Sequence, residues 1–377
     1  MRIGIDGNEA NVFDRVGSGM YAYQVLKHLY ELDSWNEYTI YLKHTPIRDM
    51  PEERKNWKYK VIGPEKLWTQ FALPLRLFID GKKLDLFFSP GHYAPRFCPC
   101  KTVISVLDTA YLRFPEYFKK SDLIQLKSWS KYSIKKASHI LTISESSKQD
   151  IVKYYGIEPH KVTVTYLGYD TETFKPVEDQ EKIRTVLDKY GFKQPYILYL
   201  GTLQPRKNIV RLIQAFKDLI SQDNYSHIGL KLVIVGKKGW LYQEIFSEVK
   251  KLQLEDVVVF TGYITDDEKP AILSGAVLYT LPSLYEGFGI PVLEAMACGT
   301  PVVVSRISSL PEVVGEYGVL IDPYNIKSIS DGLKLLVNDT TLREQMKQSG
   351  LKWVKQFDWM HTARTTLGVL ESFRKND

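Results

Sequence analysis

Tyr285-Glu286-Gly287-Phe288-Gly289-Ile290-Pro291-Val292-Leu293-Glu294-Ala295-Met296-Ala297-Cys298-Gly299-Thr300-Pro301-Val302-Val303 sets two carboxylates eight residues apart on either side of a glycine-rich turn. The turn feeds an apolar helical segment, which ends before a run of β-branched residues that reads as a buried strand. Gly287 and Gly289 let the backbone approach a ligand without Cβ atoms in the way. Pro291 suits the first helical position, where its missing N–H costs nothing. On that reading Glu294 falls in the first helical turn and Glu286 in the loop before it, so both can face one pocket. The N–H groups and positive dipole end of the helix favour phosphate there.

Outward from this block, strands and helical segments alternate. In the first half Ile3–Ile5, Tyr38–Leu42, Leu84–Ser89, Thr102–Leu107, His139–Ile143 and Val162–Thr165 read as strands, and Gly19–Leu32 as an amphipathic helix. The second half restarts the rhythm. Tyr196–Leu200, Lys231–Val235, Val257–Phe260, Ala276–Leu281 and Pro301–Ser305 are its strands, and Ile209–Ile220, Tyr242–Leu252 and Ile326–Leu336 its helices. Strands separated by helical patterns imply parallel sheets built from βαβ units. At 377 residues the chain is too long for one ordinary core, so two doubly wound α/β domains in tandem are expected. The link between them is read as the polar stretch Gly168–Gln194, and the C-terminal segment Phe357–Phe373 is amphipathic.

A second cluster, Leu200-Gly201-Thr202-Leu203-Gln204-Pro205-Arg206-Lys207-Asn208-Ile209, joins a strand to a helix. Such junctions are where open α/β sheets bind ligands. A planar Arg fork beside a Lys point charge suits a diphosphate, although in isolation two adjacent cations are commonly a solvated loop. Gly17-Ser18-Gly19 opens the first long helix, a pattern equally at home in a simple turn.

Composition narrows the classes. Hydrophobic content of 44% and charged content of 25% belong to a globular protein, and no apolar run reaches the length of a membrane span. The N-terminus reads as a buried strand and not as a signal peptide, so a cytoplasmic protein is expected. The three cysteines Cys98, Cys100 and Cys298 lack zinc spacing and are read as reduced thiols. A net charge of +6 is compatible with anionic substrates or an anionic membrane surface. Without zinc-finger, RNP or P-loop patterns, and with basic residues interspersed among acidic ones, nucleic acid is not expected as a partner.

The nineteen-residue block together with the Arg206-Lys207 loop resembles the signatures of glycosyltransferase family 4, retaining sugar-nucleotide enzymes. The resemblance runs over nearly the whole chain. It implies the GT-B fold, two Rossmann-like doubly wound domains facing each other across a cleft. The acceptor-side domain would span 1–170, with a C-terminal helix at 358–377 packing back on it from about Trp359. The donor domain would span 171–357. The cation loop is most similar to that of members transferring mannose from GDP-mannose, and it implies that Arg206 and Lys207 hold the pyrophosphate, with Gly201 and Thr202 lining the site. Many relatives carry an acidic residue where Gln204 stands. By the same resemblance Glu294 accepts from the ribose hydroxyls. Glu286 would bind the transferred sugar, with the backbone of Gly287, Phe288 and Gly289 around it, and Tyr263-Ile264 would meet the nucleobase. Gly17 and Gly19 would approach the donor phosphates.

The main departure lies in Val106-Leu107-Asp108-Thr109, where relatives commonly show His-Asp. A leucine can neither shuttle a proton nor hydrogen-bond, so Asp108 is left as the candidate catalytic residue of the first domain. No D-x-D metal motif is evident, so no metal or other cofactor is expected. The resemblance implies transfer of a hexosyl group, most like mannosyl, to a glycan or lipid-linked saccharide. Leu107 keeps a non-catalytic sugar-nucleotide-binding or glycan-binding relative open, and a GT-B epimerase is a further alternative. His92 could line the acceptor side, or be an ordinary loop histidine. Lys127, Lys131 and Lys135 form a basic stripe along Asp122–Ser138. A solvated helix face is the usual meaning of such a stripe. Some family members instead use a basic amphipathic helix to sit on the inner membrane leaflet.

Overall fold

The computed structural model describes residues 1–80, 84–91, 93–221 and 228–374. The chain forms two compact units. The first comprises Met1–Gly168 together with the chain from Phe357 onward, and the second comprises Tyr169–Gln356.

In the first unit, β1 (Arg2–Asp6) leads to α1 (Ser18–Leu32), followed by β2 (Glu37–Leu42), β3 (Trp57–Val61) and α2 (Ala72–Asp80). β4 (Leu86–Ser89), β5 (Lys101–Ser105), the short α3 (Ala110–Arg113), α4 (Lys120–Lys136), β6 (His139–Thr142), α5 (Glu145–Tyr155) and β7 (Val162–Val164) complete the series. All the pairings are parallel, in the order β3-β2-β1-β4-β5-β6-β7. The central strands are buried along their length, with Ile3, Ile5, Phe87, Phe88, Val103 and Ile104 fully enclosed, as parallel strands covered on both faces require. The edge strand β3 escapes the sequence reading because Lys58 and Lys60 interrupt its apolar pattern.

The second unit opens with α6 (Gln180–Lys189), which lies inside the stretch read as a link. Asp179 caps it, its carboxylate accepting from the N–H groups of Glu181 (3.0 Å) and Lys182 (3.2 Å), and Ile183 and Leu187 are buried. Charged residues on the outer face of this helix made an ordered element look like a tether. Then come β8 (Tyr196–Leu200), α7 (Ile209–Ile220), β9 (Lys231–Val235), α8 (Gln243–Lys251), β10 (Val258–Gly262), α9 (Lys269–Ser274) and β11 (Leu278–Leu281). They are followed by α10 (Ile290–Ala297), β12 (Val302–Ser305), α11 (Leu310–Val314), β13 (Val319–Ile321), α12 (Ile326–Asn338) and α13 (Thr340–Trp353). The parallel sheet runs β10-β9-β8-β11-β12-β13. The strand order reverses between β8 and β11, the topological position at which open α/β sheets bind ligands beyond the strands' carboxyl ends.

The final helix, α14 (Trp359–Glu371), packs on α1 in the first unit. Gly168 marks where the chain passes it: a Cβ there would lie 2.3 Å from the Trp359 nitrogen. Asn36 Nδ2 donates to Glu371 Oε1 at 3.1 Å, and the Thr362 hydroxyl donates to the Tyr166 carbonyl. Cys98 and Cys100 hold their sulfurs 3.6 Å apart, well beyond a covalent S–S bond of about 2.05 Å.

Candidate active site

The crevice of the second unit is built first from the β8 exit. Gly201 to Gln204 leave the strand, Pro205–Lys207 form one 3-10 turn, and Asn208 takes a left-handed conformation (φ 60°) before α7 begins. Asparagine tolerates that conformation, and here its buried Nδ2 donates to the carbonyls of Pro282 (2.9 Å) and Pro323 (2.7 Å). The Arg206-Lys207 loop is therefore fastened to the loop leaving β11. The Arg206 carbonyl adds a further tie by accepting from the Leu284 N–H at 2.8 Å.

That second loop, Pro282 to Gly289, delivers Glu286. Its carboxylate is buried and accepts from Lys207 Nζ at 2.6 Å, while Arg206 Nη1 stands 3.6 Å from the other oxygen and also donates to the Tyr285 carbonyl. Burial alone would raise the pKa of Glu286, but the charges of Lys207 and Arg206, with the Lys207 hydrogen bond, hold it below the ordinary glutamate range. The backbone is fixed as firmly. The Glu286 N–H donates to Ser308 Oγ at 3.0 Å, and the Ser309 hydroxyl reaches the carbonyls of Glu286 and Phe288 at 3.0 and 2.7 Å. A buried ion pair of this kind is poor value as a stability device, since desolvation offsets most of its attraction. Two cations against one carboxylate leave an excess positive charge, which suits an anion.

Gly287, Phe288 and Gly289 are buried in the turn before α10. Gly289 has φ 117°, and a Cβ there would also press on Leu310 at 2.8 Å, so glycine is required. The helix starts at Ile290, one residue earlier than Pro291 suggests, which places Glu294 in its second turn and not its first. Glu294 is half-buried and its pKa is pushed up to about 7, first by desolvation and further by Asp266 and Asp170, against an opposing pull from Lys269. Lys269 is itself paired with Asp266. The two glutamates thus differ: Glu286 is held ionised, and Glu294 titrates near neutrality.

One contributor escaped the sequence reading. The chain leaving β9, Gly236-Lys237-Lys238-Gly239, lies against the Gly201–Gln204 segment. Leu203 N–H donates to the Lys237 carbonyl at 3.0 Å and Gly239 N–H to the Leu203 carbonyl at 2.9 Å. Gly236 has φ 152°, and a Cβ on it would sit 2.0 Å from the Gly201 carbonyl oxygen. The signal available was two glycines bracketing two lysines directly after a strand. Tyr263, exposed just beyond β10, has Lys237 Nζ 4.4 Å from its ring centroid, whereas Ile264 is buried. The residues expected to bind the donor in this unit therefore sit on the loops after β8, β10 and β11 and on α10, with the β9 loop alongside.

In the first unit Asp108 follows β5, half-buried, and its Oδ1 accepts from the Ala110 N–H at 3.1 Å. Leu107 is buried, and its carbonyl accepts from the Ser147 hydroxyl at 3.2 Å. Asp150 anchors the segment beyond, accepting from Thr109 Oγ1 and Arg113 Nε, each at 3.1 Å. Gly17 precedes α1 with φ 52°, and Gly19 lies so close to the Glu9 carbonyl that a Cβ would meet it at 3.0 Å. His92 lies outside the described residues. Among the described residues no group of three or more His, Cys, Asp or Glu could hold a metal ion.

The family model described as "Glycosyl transferases group 1" matches residues 179–353, and that described as "Glycosyltransferase Family 4" matches 17–173. The O-antigen chain mannosyltransferase B of Escherichia coli is 32% identical over 285 residues, covering 75% of this chain and 73% of that one. The serotype-specific mannosyltransferase WbdA of Escherichia coli is 29% identical over 287 residues, 74% of this chain but only 34% of the relative's length. Among solved structures, Anabaena Alr3699/HepE in complex with UDP and glucose superimposes with a TM-score of 0.74 at 19% identity, covering 98% and 99% of the two chains. That likeness supports the fold alone, which is the GT-B fold. With both halves of the sequence matched and a relative of similar length at this identity, the chain belongs to the group 1 glycosyl transferases of glycosyltransferase family 4.

Proposed function

We propose that this glycosyltransferase moves a mannosyl group from GDP-mannose to a hydroxyl of a glycan or lipid-linked saccharide, with retention of anomeric configuration. The observation that carries the reading is the cation pair Arg206 and Lys207 converging on buried Glu286 at the crevice of the second unit. The mannosyltransferase names of the relatives supply the sugar.

In this reading the diphosphate takes the excess positive charge of Arg206 and Lys207, with the backbone of Gly201 and Thr202 beside it. As the glycosidic bond breaks, negative charge grows on the departing diphosphate, and preorganised cations stabilise it more than the ground state. That electrostatic role requires no metal, and we assign the reaction as metal-independent. Glu294 accepts from the ribose hydroxyls in its ionised form. Glu286 holds the transferred sugar, with Gly287, Phe288 and Gly289 lining the pocket, and Tyr263 and Ile264 meet the base. Gly17, Gly19 and Asp108 are the first unit's candidates for a part in transfer, assigned by the family resemblance, and substitution of Asp108 tests that assignment. With no membrane-spanning helix among the described residues, contact with a lipid-linked acceptor would be peripheral.

The experiment is nucleoside-diphosphate release from a panel of GDP-, UDP- and ADP-sugars with acceptor saccharides. GDP release from GDP-mannose that depends on acceptor supports the reading. Acceptor-dependent turnover confined to another donor overturns the mannosyl assignment, and donor conversion without acceptor would point to an epimerase.

A further inference from the structure

The chain between β4 and β5 carries a pair of thiols that the transfer site does not use. Cys98-Pro99-Cys100 immediately precedes β5, at the opposite end of that strand from Asp108. Phe97 takes a left-handed conformation (φ 54°), uncommon for an aromatic residue, and turns the chain just ahead of Cys98. Two ties to α4 hold the segment: the Ala94 N–H donates to Ser133 Oγ at 2.9 Å, and the Phe97 N–H to the Tyr132 hydroxyl at 3.3 Å. Between the cysteines, Pro99 has its own φ fixed by its ring. This short, constrained turn sets the two sulfurs 3.6 Å apart.

Packing alone does not account for the contact. Both cysteines rest against the cluster of Tyr41, Trp68, Leu73 and Phe87, yet both stay partly exposed, and Arg96, Phe97 and Pro99 around them are exposed. The third cysteine, Cys298, is buried. The two thiols also differ from each other. A hydrogen bond from the Cys100 thiol, helped by the Cys100 N–H, holds the Cys98 pKa below the ordinary thiol value against the effect of burial. Cys100 is pushed up by the same contact, by burial and by the charges of Cys98 and Asp85. An easily ionised thiol beside a protonated one is the arrangement of an attacking and a resolving cysteine. Arg96 and Lys101, both exposed, flank the pair in sequence and favour an anionic reagent.

We propose that Cys98-Pro99-Cys100 is a thiol-exchange site for anionic low-molecular-weight disulfides, with Cys98 attacking and Cys100 resolving. The Cys98 thiolate displaces one thiolate from the disulfide and is left as a mixed disulfide. Cys100 then gives up its proton, attacks the Cys98 sulfur and expels the second thiolate. One small disulfide is reduced to two thiols, and the protein gains a Cys98–Cys100 bond in exchange for its two thiol hydrogens. The ring so closed is too short to constrain the unfolded chain much, so the bond acts as a reversible modification and not as a staple.

Incubation of the reduced full chain with glutathione disulfide, followed by intact mass and thiol counting after denaturation, tests it. Wild type is expected to retain one of its three thiols and to carry no glutathione. Peptide mapping should find Cys98 joined to Cys100 and Cys298 free. Cys100→Ser should stop at the mixed disulfide on Cys98. Cys98→Ser should react about tenfold or more slowly than Cys100→Ser, because burial and Asp85 still oppose ionisation of Cys100. Thermal melts of the reduced variants check that both fold, and the wild-type product needs neither of them. Retention of all three thiols by wild type, a lasting glutathione adduct in place of the internal bond, or loss of the Cys298 thiol at the same rate overturns the proposal. So does equal reactivity of the two folded variants.

Discussion

Lys207→Met and Glu286→Gln should shift nucleotide affinity in opposite directions, because both groups act on the same anion. Lys207 Nζ is 2.6 Å from the Glu286 carboxylate, and Arg206 is 3.6 Å from it. In the proposed complex the diphosphate competes with that carboxylate for Lys207. Removing the lysine deletes one charge-assisted hydrogen bond to phosphate, worth about 1.5–3 kcal/mol, so GDP affinity should fall about 10- to 150-fold. Neutralising Glu286 removes a repelling charge. At a separation of about 6 Å and an effective dielectric near 20 that repulsion is on the order of 2–3 kcal/mol, reduced by solvent once the site is open. GDP should therefore bind Glu286→Gln about three- to thirtyfold more tightly, while transfer falls because the sugar loses its contact. Isothermal titration with GDP reads the affinity and product formation reads the transfer. If Glu286→Gln weakens GDP binding as Lys207→Met does, or if neither variant changes it, the shared-cation account of the site is wrong.

Glu294 adds a pH signature. Its folded pKa of about 7 exceeds the ordinary 4.5, so the folded state holds the proton longer, and stability should decline as pH rises from about 4.5 to about 7. Glu294→Gln should remove that slope in thermal melts. GDP affinity should rise as pH climbs through about 7, because only the ionised carboxylate accepts from both ribose hydroxyls, and isothermal titration across that range should find the Gln variant flat. Asp108→Ala should nearly abolish transfer while leaving GDP binding within about twofold, since the proposed nucleotide contacts lie chiefly on the second unit. Leu107→His should leave transfer equal to or above wild type, and a large loss would exclude a tolerant role for that position. Transfer assayed in excess EDTA should match the untreated rate, whereas loss reversed by added Mg²⁺ or Mn²⁺ would contradict a site relying on Arg206 and Lys207.

The sheet strands were legible where both faces are covered. Tyr196–Leu200 and Leu232–Val235 are continuous apolar runs, and the structure holds the strands read there over Tyr196–Leu200 and Lys231–Val235. The edge strands β3 and β13 were not, because Lys58 and Lys60 in one and the brevity of the other remove the pattern. Helix α6 was hidden by its charged outer face, with only Ile183 and Leu187 turned inward. The residues of the Arg206-Lys207 loop and the Glu286 block announced themselves by local pattern, but their ion pair did not. It joins positions 79 residues apart in sequence, brought together by the adjacency of β8 and β11. The raised pKa of Glu294 likewise depends on burial and on the nearby charges of Asp266 and Asp170, which no local pattern encodes. The Gly236–Gly239 segment was missed because its role is backbone contact with a neighbouring loop, for which two glycines around two lysines are a weak local cue.

The central claim is retaining mannosyl transfer from GDP-mannose by the second unit's cation site, and the linkage of the product tests it most directly. Product isolated from wild-type reactions with GDP-α-mannose should show an α-mannosidic bond in the one-bond C1–H1 coupling measured by NMR, and Lys207→Met should form the same linkage more slowly. A β-linked product, or a wild-type protein that binds GDP-mannose yet forms no mannoside with any acceptor offered, would contradict the account.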